Sequence, residues 1–320
     1  MASIARSFRL PVKEFEKQYH DHLSGFLSWE ERTHADKWLV FEKNCGPSLA
    51  IDEVALTNGE LYTIVTNKAA HGRKGALVAI VEGTVANDVS AVLRRIPPDI
   101  RARTIEVTLD MSPAMEKIVR TAFPQARLTT DRFHVQQLVS ETVQEIRVTL
   151  RREAIKEEND AIKKARTERI AYEPQLFENG DTHKQLLARS IHLLFKPSGK
   201  WSIRQKDRSV ILFREYPTIR EAYDLSMAFR GIYEQTRSPD EARKKFARWC
   251  ERVERSGLNV FLTPAETYRA HEETILNYFI DRSTNAAAES FNAKLKNFRA
   301  LLRGVRDRKF FLFRIMKLYA

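Results

Sequence analysis

With 320 residues, 43% of them hydrophobic, the chain has material for one large domain or two ordinary ones, and disorder is excluded as its class. Its 54 Lys and Arg against 42 Asp and Glu leave a net charge of +12, which favours a polyanionic partner without identifying one. Two cysteines, Cys45 and Cys250, exclude a disulfide framework or a multi-cysteine zinc site within one chain; no run approaches the ~18 apolar residues of a membrane span, so a reducing cytoplasm is the expected setting.

Residues 11–45 are helical in pattern, and Ser28-Trp-Glu-Glu31 has the capping-box spacing that predicts a helix from Trp29; residues 1–47 read as a helical arm or linker. Three β-type runs follow at 49–56, 61–66 and 76–81. Asn58-Gly59 joins the first two and His71-Gly-Arg-Lys-Gly75 the second two, which predicts an antiparallel meander. Asn87 is placed to cap a helix that Pro97-Pro98 stops, and a strand at 104–110 ends on Asp110. Ser112-Pro113 starts a helix over 114–123, and residues 127–130 form a fifth strand.

The order β-β-β-α-β-α-β describes an α/β fold with a mixed five-stranded sheet and flanking helices, the arrangement of the ribonuclease-H-like fold. In that fold the first and fourth strands lie side by side; here the adjacency is an analogy. From 133 onward the pattern is helical. Residues 133–166 keep a sustained helical period, and Thr218, Ser238 and Thr263 each stand three residues before a glutamate, the spacing of a capping box. Between them, residues 172–201 carry Pro174, Asn179-Gly180 and Pro197 and should break into loops and short elements.

Asp52 and Asp110 each end or interrupt an apolar strand run, and Glu289 lies in a segment that reads as the opening of a helix. An aspartate among Ile, Val and Leu costs several kcal/mol if buried unpaired, so such acids need a partner, and carboxylate oxygens are the ligands that Mg²⁺ prefers. The triad therefore points to phosphodiester chemistry on two divalent ions. Each acid alone also suits a strand end or helix cap. Glu53 competes with Asp52, because neighbours on a strand point to opposite faces; Asp52 shares its side with Val54 and Leu56, Glu53 with Ile51 and Ala55, and we choose Asp52.

Asp131 and His134 follow the fifth strand three residues apart and could orient the site, or Asp131 could simply cap the next helix. From Lys294 to Lys317 there are nine Lys or Arg and one acid, Asp307. Lys294, Lys296, Arg299 and Arg303 are candidates for the DNA backbone, while the interleaved Phe298, Phe310, Phe311 and Phe313 recur at core spacings.

The ordered set Ala50-Ile-Asp52-Glu53, Leu109-Asp110-Met-Ser-Pro-Ala114, Phe123-Pro-Gln-Ala126, Asp131-Arg-Phe-His134 and Asn285-Ala-Ala-Ala-Glu289-Ser-Phe-Asn292 resembles the ISL-three group of insertion-sequence transposases, most closely its ISAon-like subgroup. The resemblance implies that Asp52, Asp110 and Glu289 are the catalytic Asp-Asp-Glu triad holding two Mg²⁺ or Mn²⁺, with Asp131 and His134 as its accessory acid-x-x-His signature. It implies a core split into residues 48–139 and 281–320 by a helical insertion at 140–280. It also implies cleavage and strand transfer at element ends by a homo-oligomer on DNA, in a bacterial cytoplasm at the nucleoid. Related transposases begin with a cysteine-rich module and a helix-turn-helix, neither visible here, so a separately encoded N-terminal DNA-binding partner is expected. Two alternatives are a structure-selective nuclease with the same metals and a non-catalytic DNA-binding remnant of a mobile element.

Overall fold

Runs of Ile, Val, Leu and Thr bounded by turn residues form the strands. In chain order these are β1 (Trp38–Val40), β2 (Ser48–Ala55), β3 (Leu61–Asn67), β4 (Leu77–Glu82), β5 (Glu106–Leu109) and β6 (Arg127–Thr130). The computed structural model describes residues 2–56, 59–301 and 307–320. It divides into two compact units, one running to Asp131 and resuming at 283–320, the other spanning Arg132–Arg282.

The first unit holds one mixed sheet of six strands in the order β1-β4-β3-β2-β5-β6. β1, β4, β3 and β2 pair antiparallel, whereas β2, β5 and β6 run parallel. Five strands were expected; the sixth, β1, comes from the segment read as a helical arm. Three residues are too few to display a period of two, so it leaves no pattern in the sequence. Asn58 of the expected hairpin lies outside the described residues. Gly59 has φ +75, and the turn closes through the Leu56 N–H on the Glu60 carbonyl at 2.7 Å.

Alternation along the strands separates two apolar layers. Leu49, Ile51, Val107 and Leu109 point to one face, where Val89, Leu93, Ile118 and Val119 from the helices Ala86–Leu93 and Pro113–Ala122 cover them. Val54, Tyr62, Ile64 and Leu77 point to the other, beneath Phe291, Leu295, Phe311 and Ile315 from the helices Ala286–Leu301 and Arg308–Tyr319. The basic C-terminal stretch is thus carried by two helices rather than one, and Asp307 caps the second by accepting from the Phe310 N–H at 2.9 Å. Phe310, Phe311 and Phe313 are buried, as their spacing predicts.

The Ser28 capping box does not form. Residues Glu30–Thr33 make a single 3-10 turn, because Phe26 and Trp29 on either side of Ser28 are pinned against Phe310 and Phe313, with ring centroids 5.1 and 5.2 Å apart. Nor does Asn87 cap its helix, which already begins at Ala86 with Val85 at the cap position.

The second unit is helical. Its first helix, Arg132–Thr167, packs with Pro217–Gln235, and Phe229, Tyr233, Phe246, Trp249 and Phe279 form an aromatic core. Ser238 caps Pro239–Ser256 through the Glu241 N–H. Thr218 and Thr263 do not cap, since Pro217 and Leu262 already stand inside their helices. Ser202 and Gln205 form a reciprocal capping box, and Gln185 accepts from the Thr182 N–H at 3.0 Å, glutamine replacing the glutamate sought. Among the described residues, no helix is long and apolar enough to cross a membrane.

Candidate active site

The parallel pairing sets the acids in a row. Ala50 stands opposite Thr108, and Leu109 opposite Thr130. Continuing each register by one or two residues aligns Asp52, Asp110 and Asp131 across three adjacent strands, a spacing of ~4.8 Å per step between strand axes. The alignment continues past the last residue of β6, where the Asp131 N–H donates to the Leu109 carbonyl at 2.8 Å. Carboxyl ends of parallel strands are where open α/β sheets build their sites.

Asp52 lies on the sheet face covered by the helix Ala286–Leu301, between Ile51 on the opposite face and the buried Val54 on its own. Its Oδ2 accepts from Asn292 Nδ2 at 2.6 Å, and its Oδ1 from the Glu53 N–H at 2.8 Å. Asn292 and Glu289 are three residues apart on that helix, so the half-buried Glu289 sits one turn from the amide that holds Asp52, on the same side. Asp110 Oδ1 accepts from the Ser112 N–H at 2.9 Å, closing the turn into the helix Pro113–Ala122. Asp131 is 2% exposed, and its Oδ1 accepts from the Asn285 N–H, at 3.4 Å, where the glutamate's helix begins. A carboxylate suits the positive end of a helix dipole. His134 belongs to the other unit, in the first turn of Arg132–Thr167, with its ring edge-on to Phe133.

This arrangement can be compared with known proteins. The sequence pattern of a DDE-type family described as transposase, the ISL-three type, matches residues 49–315, which takes in all but the first residue of β2, every strand from β3 to β6, the helix Ala286–Leu301 and most of Arg308–Tyr319. The chain belongs to the ISL-three transposase family. It is also 24% identical over 269 residues to the transposase for insertion sequence element IS1001 of Bordetella parapertussis. That match covers 83% of this chain and 59% of the relative, so the chain spans less than two thirds of that protein's length.

In this ISL-three family member, the Glu53 carboxyl is pushed above its usual range, first by burial and then by the negative charges of Asp110 and Asp52. Among the described residues no three carboxylate, imidazole or thiol groups already stand together as a metal cluster. The donors still suit hard divalent cations: two aspartates in register, a third strand-end acid, a glutamate one turn away, and repulsion felt by a neighbouring carboxyl that a cation would relieve. Replacement of Glu53 by glutamine tests that repulsion. A carboxyl raised in the folded state costs stability once it ionises, so Glu53→Gln should be the more stable protein at neutral pH. The gain should disappear below the unfolded pKa of ~4.3, and the part of it due to repulsion by Asp110 and Asp52 should shrink in high salt. Urea unfolding at pH 4 and pH 7 reads it, and equal differences at the two values would refute the account.

The basic candidates separate. Lys294 and Lys296 are exposed, Lys294 donating to the Gly72 carbonyl at 2.9 Å. Arg303 lies outside the described residues. Arg299 differs from the other two: 5% exposed, it makes a two-pronged pair with Glu60 at 2.6 and 2.9 Å and stacks over Phe311, so its guanidinium is engaged within the core. Sequence reasoning missed Asn292, although it stands within the quoted Glu289-Ser-Phe-Asn motif at the one-turn spacing that signals a shared helix face.

Proposed function

We propose that this chain is the catalytic part of a DNA transposase, with Asp52, Asp110 and Glu289 as its metal-binding acids on a ribonuclease-H-like core. The observation that carries the reading is the Asn292–Asp52 hydrogen bond, which ties the glutamate's helix over the strand that bears Asp52. The strand order is consistent with that core, β1 being an addition at its antiparallel edge. The helical unit Arg132–Arg282, which enters after β6 and returns just before the glutamate's helix, is then the insertion.

Two Mg²⁺ or Mn²⁺ would supply an activated water or DNA 3′-hydroxyl and stabilisation of the leaving oxygen at the phosphodiester. Asp52 and Asp110 would hold the shared position and Glu289 would complete the second. Asn292 fixes the rotamer of Asp52, and Asp131 fixes the start of the glutamate's helix. Lys294 and Lys296 would neutralise backbone phosphates beside the site, a sequence-independent and salt-sensitive contribution. His134 is assigned an accessory role.

Membership of the ISL-three family supports DNA as the substrate. We extend the reading to the ISAon-like subgroup, to a multimer that synapses two element ends, to a separately made N-terminal DNA-binding partner, and to a bacterial nucleoid setting. Incubation of the chain with element-end DNA, target DNA and Mg²⁺, with and without that partner, is the test. Joined products are the expected result; cleavage without joining would replace the reading with a nuclease, and DNA binding without either would leave a remnant.

A further inference from the structure

The strongest unexplained feature of the sheet unit is a buried lysine. Lys68 lies in the 3-10 turn Lys68–Ala70 directly after β3, and its side chain is only 12% exposed. Its ammonium donates to Glu106 Oε1 at 3.0 Å, to Thr108 Oγ1 at 2.7 Å, and to Ser283 Oγ. A lysine has three N–H donors, and each has an acceptor here. Glu106 and Thr108 are on β5, two and one strand-pleats before Asp110 on the same side. Ser283 is the residue at which the chain rejoins the sheet unit, six residues before Glu289.

We propose that Lys68 is a positioning residue for Glu289: it ties the re-entry point of the chain to the strand that carries Asp110, and so sets where the glutamate's helix begins. The inference rests on the metal-site reading given above. Three links then define that helix relative to the sheet. Lys68 in the turn after β3 holds Ser283, Asp131 just past β6 holds Asn285, and Asn292 holds Asp52 of β2. A helix fixed at its start and at its second turn has little freedom to carry Glu289 away from the aspartates. Burying the lysine is tolerable because Glu106 lies against it, and Glu106 has a second cation in Arg127 at 3.3 Å.

Electrostatics and positioning predict opposite signs. Removing a positive charge near a cation site should tighten cation binding, whereas loosening the support of a ligand typically weakens it 10- to 100-fold. Mn²⁺ binding to the full chain, measured by titration calorimetry without DNA, separates them. Lys68→Met should bind Mn²⁺ about tenfold more weakly than wild type, and Lys68→Arg should recover part of the loss. Ser283→Ala, which changes no charge and leaves the Lys68–Glu106 pair intact, should weaken binding in the same direction; it keeps the test open if Lys68→Met does not fold. Hydrogen exchange of the backbone amides over 284–289 should quicken in both weakened variants.

Unchanged or tighter Mn²⁺ binding in Lys68→Met and Ser283→Ala, with only a lower unfolding midpoint, would overturn the proposal and leave Lys68 a core ion pair. Glu289→Gln in the same titration distinguishes the two failures. If Glu289→Gln weakens Mn²⁺ binding and the Lys68 and Ser283 variants do not, only the positioning role falls. If Glu289→Gln leaves binding untouched, the metal-site reading falls with it.

Discussion

Replacing Glu289 by glutamine, or Asp110 by asparagine, should lower the rate of DNA-end cleavage at least ~10³-fold, equivalent to ~4 kcal/mol of transition-state stabilisation, while the protein stays folded and still binds DNA. Each change removes one negative charge and little volume. Asp110 uses Oδ1 to close the turn through the Ser112 N–H, and asparagine keeps a carbonyl oxygen able to accept that bond. Glu289 is half-buried on a helix whose apolar face is supplied by Ala288, Phe291 and Leu295, so glutamine leaves the packing intact. The measurement is single-turnover cleavage of end DNA beside a gel-shift titration of the same DNA. Loss of both activity and binding would mean that the substitution had unfolded the site; retention of cleavage within a few-fold would remove the acid from the mechanism.

Arg299→Met should destabilise the protein by about 3–5 kcal/mol without weakening DNA binding by the fraction that remains folded. The side chains of Arg299 and Glu60 are 4% and 8% exposed, and their two-pronged contact seals the end of the face under Phe311. Truncating the arginine leaves the nearly buried Glu60 carboxylate without its two-pronged partner and with only the weaker field of Arg308, a cost larger than the net worth of the pair. The double variant Arg299→Met, Glu60→Leu should therefore regain much of the loss, because both charges leave together. Urea denaturation of the two singles and the double reads the coupling. A change below ~1 kcal/mol for Arg299→Met, joined to a shallower salt dependence of DNA affinity, would return Arg299 to the phosphate-binding surface.

Local pattern carried most of the sheet. β2 to β6 are marked by apolar runs and turn residues, and Asp110 stands where its run stops, so strand ends and acids were legible together. β1 was not, being three residues between aromatic-rich turns. The burial of Arg299 was not legible, because its charge is visible along the chain whereas its partner is 239 residues away. The choice between Asp52 and Glu53 turns on which face the glutamate's helix covers, and alternation alone provides no sign for that. Asn292 and Lys68 share this difficulty: their roles lie in contacts to Asp52 and Ser283 that span 240 and 215 residues.

The same separation governs when the site can exist during synthesis. Asp52, Asp110 and Asp131 leave the ribosome well before Glu289, and the helix that brings it also carries Phe291 and Leu295, part of the cover for Val54, Ile64 and Leu77. A nascent chain arrested between Asp131 and that helix therefore has its aspartates but no glutamate, together with an uncovered oily sheet face that chaperones recognise. Under the proposed function, a product cut short before that helix lacks one of the three proposed metal-binding acids, so cleavage of DNA should require the sequence through at least Glu289.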